Sequence, residues 1–329
     1  MNAMSSKPNG APPGAAFIGS HPPNGLWSRI GMPAVLAVLL LAFGWANPNF
    51  WSATNAANVS RQISALALIS IGQTFAILSA GIDLSVGSLL ALVSVVCAQQ
   101  MRDYGVAAGI LAGVATGGAA GLVNGVLITR ANVPAFIVTL GMLVAARGLA
   151  LTLSGGLPVA GLPRAFLVVG AGSVGPLPVP AIIAGGAFLV AHLALSRTQF
   201  GRYVYAMGSN EEAAILSGIN VVKHKILVYV VSGLCAGVAG VVLTSRVVSG
   251  QPTLGETQEL YSIAAVVIGG AKISGGVGSM GRTFMGVLVL GILGNGLNLI
   301  RVSSYVQNIV IGAIIVGAVF VDMARERRR

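Results

Sequence analysis

The chain has 329 residues and a net charge of +11, and 55% of its residues are hydrophobic. Only 8% are charged, against roughly 25% in a soluble domain, and the mean hydropathy is +0.87. The composition therefore excludes an ordinary soluble domain and indicates a membrane protein. The basic residues lie at the ends of apolar runs and not in patches interleaved with aromatic residues, so they indicate orientation in a bilayer and not nucleic-acid binding.

The chain divides into a tail, a long apolar region and a short end. Residues 1–28 are polar and rich in Pro, Gly, Ser and Asn, which predicts a disordered cytoplasmic tail. Residues 29–323 contain successive apolar runs and predict an all-α polytopic domain of about ten transmembrane helices. The first run is longer than most signal-peptide cores, so we expect it to be retained. The runs lie at about 30–46, 62–80, 84–101, 105–129, 132–153, 177–195, 226–245, 260–273, 283–300 and 304–321. Residues 324–329 are predicted to form a basic cytoplasmic tail.

Basic residues near the span ends predict the orientation. With the N-terminus in the cytoplasm, about two thirds of the 19 Lys and Arg residues fall on the inner side, as the positive-inside rule requires. Both termini and the polar segment 196–225 are therefore predicted to be cytoplasmic.

The fourth run carries a glycine every four residues from Gly109 to Gly125, and Gly233 and Gly237 repeat this spacing in the seventh run. A stripe without side chains lets a second helix approach closely in a membrane. We interpret these glycines as packing positions.

The polar segment 196–225 contains a predicted short helix. Ser209 and Glu212 have the spacing of a capping box, in which the hydroxyl would accept the Glu212 N–H. Residues 213–217 would continue the helix, and Gly218 suits a left-handed C-cap. A helix of about two turns is not stable alone in water, so it must pack against something.

Asp83 is the only acidic residue embedded in a long apolar sequence. A carboxylate at membrane depth is costly and indicates function, either in the substrate pathway or in gating. The alternative is structural: Gly81 ends one helix, and Asp83 or Ser85 caps the next. The capping interpretation is favoured, and both remain open.

Other motifs are excluded by their context. Residues 276–283 match G-x-G-x-x-G and resemble a P-loop, but no βαβ unit follows and Arg282 replaces the required lysine. The chain is therefore predicted not to bind or hydrolyse ATP. Its scattered Cys and His residues predict no metal site, and no residue set predicts catalysis or a cofactor. The loop 249–259, with Glu256 and Glu259, is expected to be solvated on the outside or to contact a partner there.

Three blocks of sequence carry a family resemblance. The pattern Glu212-Ala213-Ala214-x-x-x-Gly218 resembles the EAA signature of ABC importer permeases, and residues 208–220 around it resemble the ribose-type sugar permeases. Residues 80–88 and 269–279 resemble the same family, and the similarity covers about 55–322. The resemblance implies that the short helix couples the permease to an ATPase. The residues to which it assigns this role are Gly208, Ser209, Asn210, Glu211, Glu212, Ala213, Ala214 and Gly218.

The resemblance also implies the setting of the protein. It implies a multi-pass subunit of the bacterial inner membrane that pairs with a second permease copy, identical or related, and with cytoplasmic ATP-binding subunits and a periplasmic sugar-binding protein. The expected cargo is a monosaccharide, either a pentose or a hexose such as ribose, xylose or galactose, moving along polar residues. The candidates for this pathway are Asp83, Gln73, Asn124, Asn295 and Asn298.

Other functions stay open at this stage. Related permeases carry branched-chain amino acids or nucleosides. An ion-coupled secondary transporter would need ionisable residues at mid-membrane, and only Asp83 and Arg147 come near that position. A channel or scaffold subunit is a further alternative.

Overall fold

The computed structural model describes residues 26–326, and residues 1–25 and 327–329 lie outside the described range. Most of the predicted N-terminal tail and the last three residues of the C-terminal tail are therefore not described. Residues 26–28 and 324–326, which were assigned to the tails, belong to the first and last helices.

Thirteen α-helices dominate the described range, which confirms an all-α polytopic protein. They are α1 Leu26–Ala46, α2 Ala53–Leu78, α3 Val86–Tyr104, α4 Val106–Arg130, α5 Ala135–Ser154, α6 Leu167–Ala171, α7 Val179–Arg197, α8 Gln199–Ser209, α9 Glu211–Leu216, α10 Val221–Val247, α11 Gln258–Ile268, α12 Met280–Leu299 and α13 Ser304–Glu326. A hairpin of β1 Ser173–Val174 and β2 Leu177–Pro178, which was not predicted, precedes α7.

Each of the ten predicted apolar runs corresponds to a helix. Among the described residues, α2, α4, α5, α7, α10 and α12 are long and apolar enough to cross a membrane. The other four runs correspond to α1, α3, α11 and α13. With 11 residues, α11 is much shorter than the about 20 residues that a complete span needs.

The glycine stripes bring α4 and α10 into backbone contact. A Cβ atom at Gly117 would lie 2.9 Å from the Gly237 Cα atom, and one at Gly237 would lie 2.9 Å from the Val114 Cα atom. Glycine is therefore the residue that fits on both helices, which confirms the packing interpretation.

Helices α2 and α12 run antiparallel and fix the two ends of the bundle. The Thr74 and Thr283 hydroxyls share a hydrogen bond of 2.9 Å near one end, and Asn55 pairs with Asn295 near the other. We call the first of these the α9 end, because Leu78 at the end of α2 packs against Gly208 of α8, which leads into α9.

The chain between α2 and α3 turns back into the bundle. Helix α2 ends at Leu78; Ala80 has a φ of +60°, and the Gly81 N–H donates back to the Ala76 carbonyl. Asp83 then bonds to Ser232, near the middle of α10, and α3 begins three residues later at Val86, which is fully buried. The start of α3 therefore lies inside the bundle and not at its surface.

Candidate functional site

The predicted coupling helix is present as α9, and its beginning differs from the prediction. Asn210 is the N-cap residue, and its side-chain oxygen accepts the Ala213 N–H at 2.9 Å. Ser209 is still part of α8, where its hydroxyl donates to the Tyr205 carbonyl at 2.9 Å. The capping box of Ser209 and Glu212 was therefore wrong.

The end of α9 confirms the predicted C-cap. Gly218 has a φ of +80°, and its N–H donates to the Ile215 carbonyl at 2.9 Å. The Ile219 N–H donates to the Ala214 carbonyl at 3.0 Å. These two bonds form a Schellman motif, so Gly218 supplies the left-handed residue that ends the helix.

The three sequence blocks converge around Gly208, which is the last but one residue of α8. The Gly276 N–H donates to the Leu78 carbonyl at 3.0 Å, and a Cβ atom at Gly208 would lie 2.7 Å from the Gly276 nitrogen. A Cβ atom at Gly275 would lie 2.8 Å from the Ala80 nitrogen. The backbones pack directly against each other here, so a residue with a side chain does not fit at these glycine positions. The junction places the end of α8, which leads directly into α9, against the end of α2.

Helix α9 buries one side and exposes the other. Ala214 is buried against the bundle, whereas Ile215 and Leu216 are 56% and 89% exposed. Glu211 forms an ion pair with Lys225 of α10, and Glu212 is exposed. An apolar end beside charged residues has the character of a protein interface.

Asp83 is fully buried and joins two distant parts of the chain. One carboxylate oxygen accepts from the Ser85 N–H and hydroxyl, and the other accepts from the Ser232 hydroxyl of α10 at 2.7 Å. Ser85 occupies the N-cap position of α3 and makes no side-chain cap bond. Asp83 thus accepts the Ser85 N–H just before α3. Through Ser232 it also ties the loop 79–85 to α10.

We expect Asp83→Asn to lower the stability of the permease by about 2 kcal/mol, because one of three donors would then face an amide NH2 group. Thermal unfolding in detergent measures this loss. Asp103→Asn is the matched control, since the Asp103 side chain is 50% exposed near the end of α3. Equal melting temperatures for the native protein and both variants would show that the carboxylate does not hold the loop.

Most of the other predicted pathway residues are buried between helices. Gln73 is buried, and its amide makes no hydrogen bond within the described range. Asn124 donates to the Ser85 hydroxyl, and Asn295 pairs with Asn55. Asn298 is exposed and accepts from the Gln307 amide at 2.8 Å. Asp83 and Asn124 thus belong to one cluster, while Asn295 and Asn298 lie towards the opposite end.

The loop 249–257 runs into the bundle along α3 instead of extending away from it. Gly250 pairs with the Val159 backbone, and the Gln251 N–H donates to the Ser94 hydroxyl. A Cβ atom at Gly255 would lie 2.8 Å from Leu90 Cβ, and the Glu259 carboxylate lies against Gly87. Successive residues of the segment 251–259 therefore contact residues of α3 that lie nearer and nearer to its first turn. Glu256 and Thr257 are exposed, so contact of this end of the loop with solvent or with an outside partner stays a prediction.

Arg147, near the middle of α5, holds this loop in place. Its Nη1 atom donates to the Pro252 and Leu254 carbonyls at 2.9 and 3.0 Å, and Glu256 and Glu259 lie within electrostatic reach of the guanidinium. Arg147 was not among the predicted pathway residues. Its only signal was a basic residue in the interior of an apolar run.

Comparison with known proteins identifies the class. Residues 55–319 match the family described as "Branched-chain amino acid transport system / permease component", and the chain belongs to this family of membrane permeases. The ribose import permease of Bacillus subtilis is 43% identical over 91% of this chain and 94% of its own length. The ribose import permease of Escherichia coli K12 is 44% identical over 88% of this chain and 92% of its own length. The L-arabinose transport system permease of the same strain is 35% identical over 100% and 99%. No solved structure matches the chain.

Proposed function

We propose that the protein is the membrane subunit of an ABC importer that carries a monosaccharide, a pentose or a hexose. The observation that carries this proposal is the similarity, over nearly the whole chain, to permeases named for ribose and arabinose. The permease named for D-allose, 39% identical over 90% of this chain, adds a hexose to these cargoes. No relative among these is named for an amino acid or a nucleoside.

The proposal includes separate subunits that supply energy and substrate. ATP-binding subunits would dock on the exposed side of α9, since Ile215 and Leu216 offer apolar contacts and Glu212 a charge. A periplasmic sugar-binding protein would deliver the cargo at the opposite end, and a second permease copy would complete the pathway. This arrangement puts the α9 end and both termini in the cytoplasm of a bacterial inner membrane, with about ten helices embedded in it.

The proposed sugar pathway includes the predicted polar residues. Asp83, Gln73 and Asn124 would act by shaping the pathway wall from within the bundle, because they are buried in the single subunit. Asn295 and Asn298 lie nearer the periplasmic end in this orientation. To these we add Arg147, Glu256 and Glu259, since charged side chains within a membrane bundle mark transport pathways.

We expect Arg147→Met to lower the initial rate of sugar uptake at least tenfold while the protein still reaches the membrane. The variant keeps an apolar stem of similar length but removes two charge-assisted hydrogen bonds, which contribute about 1.5–3 kcal/mol each. The loop 249–257 would then lose its anchor. Arg102→Met is the control, because the Arg102 side chain is 59% exposed near the end of α3. An initial uptake rate in Arg147→Met equal to that of the native protein would contradict a role of Arg147 in the pathway.

Uptake into proteoliposomes tests the proposed function as a whole. The complex with its ATP-binding subunits and binding protein should take up a radiolabelled pentose or hexose only when ATP is inside the vesicles. Leucine and nucleosides should not compete. Uptake driven by a proton or sodium gradient without ATP would favour a secondary transporter, and ungated flux would favour a channel.

A further inference from the structure

One face of α10 joins the coupling helix to the loop 79–85. Lys225 forms an ion pair with Glu211 of α9, and Ser232 donates a hydrogen bond to Asp83. Tyr229 lies between them. The three positions 225, 229 and 232 are spaced four and three residues apart, so they share one side of the helix. We call Lys225, Tyr229 and Ser232 the α10 face.

Tyr229 is placed against the loop without a hydrogen bond of its own. The side chain is 1% exposed, and its hydroxyl has no partner within the described range. The hydroxyl lies so close to Gly81 that a Cβ atom there would collide with it. A buried hydroxyl that makes no hydrogen bond within the protein is unfavourable, so an arrangement that gave it a partner would be favoured.

A cavity of about 250 Å³ lies next to these residues. Lys225 and Tyr229 line one part of it, the loop residues Ser79, Ala80 and Gly81 line another, and the end of α4 and the start of α5 line the rest. The surroundings of Asp83 are tightly packed by contrast, because Ser85, Asn124 and Ser232 are all fully buried. The loop therefore has space on the side of the cavity and none on the side of Asp83.

We propose that the α10 face transmits movement of α9 to the loop 79–85 and so to the start of α3. The Glu211–Lys225 pair makes the first turns of α10 follow α9. Tyr229 then presses on Gly81, and the loop yields into the cavity while the Asp83–Ser232 bond keeps α3 attached to α10. In the shifted arrangement the Tyr229 hydroxyl reaches a partner on the loop. Lys225 and Tyr229 are positioning residues in this account, which rests on the proposed function.

The ion pair is tested by exchanging its charges in the full complex in proteoliposomes, with sugar taken up per ATP hydrolysed as the readout. Glu211→Lys and Lys225→Glu each bring two like charges together and should lower this ratio at least fivefold. The double variant restores the pair and should return to within twofold of the native ratio. Lys223→Glu is the matched control, because Lys223 is exposed on the same helix and does not pair with Glu211.

Tyr229→Phe tests the second contact. It removes a hydroxyl without a partner, so the melting temperature should not fall, yet the uptake rate should drop about threefold with the ATP-binding subunits still bound. If Tyr229 only packs, the uptake rate would stay unchanged. That result would overturn its part in transmitting the movement of α9 to the loop 79–85.

The outcomes separate the two proposals. If the native complex takes up no monosaccharide, the proposed function fails whatever the variants do. The transmission through the α10 face alone is overturned by either of two results in a native complex that transports sugar. In the first, the double variant takes up no more sugar per ATP than the single variants. In the second, the single variants keep the native ratio.

Discussion

Leu216→Arg is expected to reach the membrane in normal amounts and to lose ATP-driven sugar uptake by about thirtyfold or more. Leu216 is 89% exposed at the end of α9, so its replacement costs the fold of the permease little. In a docked complex the same side chain would be a buried apolar anchor, and truncating or charging such an anchor costs about 2 kcal/mol or more.

The loss should appear in binding as well as in transport. Co-purification of the ATP-binding subunits with the variant and sugar-stimulated ATP hydrolysis measure the two effects. Leu216→Met is the control, because it keeps an apolar side chain of similar volume and should retain both. Native ATP hydrolysis coupled to uptake in Leu216→Arg would show that α9 docks elsewhere.

Gly208→Val is expected to damage the fold more than any surface change in α8 or α9. Its side chain would meet the backbone of Gly276 at 2.7 Å and that of Leu78 at 2.9 Å, and backbone on both sides cannot rotate away. Overpacking of this kind costs about 1–3 kcal/mol and occasionally more. A melting temperature lower by about 6–12 °C in detergent corresponds to a loss of 3 kcal/mol.

Gly185→Val provides the comparison for this effect. Gly185 lies inside α7, and a Cβ atom there would meet nothing within 4 Å. The same change of residue therefore adds a side chain without a collision. If both variants melted at the same temperature, the close contact of the three sequence blocks at Gly208 would not contribute to stability.

Features that depend on local sequence were predicted well. The glycine spacing in α4 and α10 predicted the close helix pair, and Gly218 predicted the end of α9, because each follows from backbone geometry over a few residues. The start of α9 was shifted by one residue. Both Ser209 and Asn210 can cap a helix, and tertiary packing of α8 decided between them.

Features that depend on distant contacts were not predicted. Asp83 meets Ser232, which lies 149 residues away, so no local pattern could distinguish a helix cap from a link between helices. The loop 249–257 is polar, and its sequence did not predict that the Pro252 and Leu254 carbonyls bind Arg147 or that the Gln251 N–H binds Ser94.

The polar residues proposed for the pathway show the same limit. Asn124 and Asn295 are polar residues in apolar runs, and polarity alone does not tell which face of a helix a residue occupies. Asn124 bonds to Ser85 of the loop 79–85, and Asn295 bonds to Asn55 of α2.

The central claim is that energy enters the permease through α9, and a photo-crosslink from its exposed end tests this most directly. The photoreactive amino acid p-benzoylphenylalanine would be incorporated in place of Leu216 and irradiated in native membranes, with the same probe at Leu189 on α7 as control. Leu189 is 60% exposed on a helix that is apolar enough to cross the membrane. The account predicts a covalent adduct with the ATP-binding subunit from position 216 and none from position 189. An ATP-binding subunit that co-purifies with the permease but forms no adduct from position 216 would contradict it.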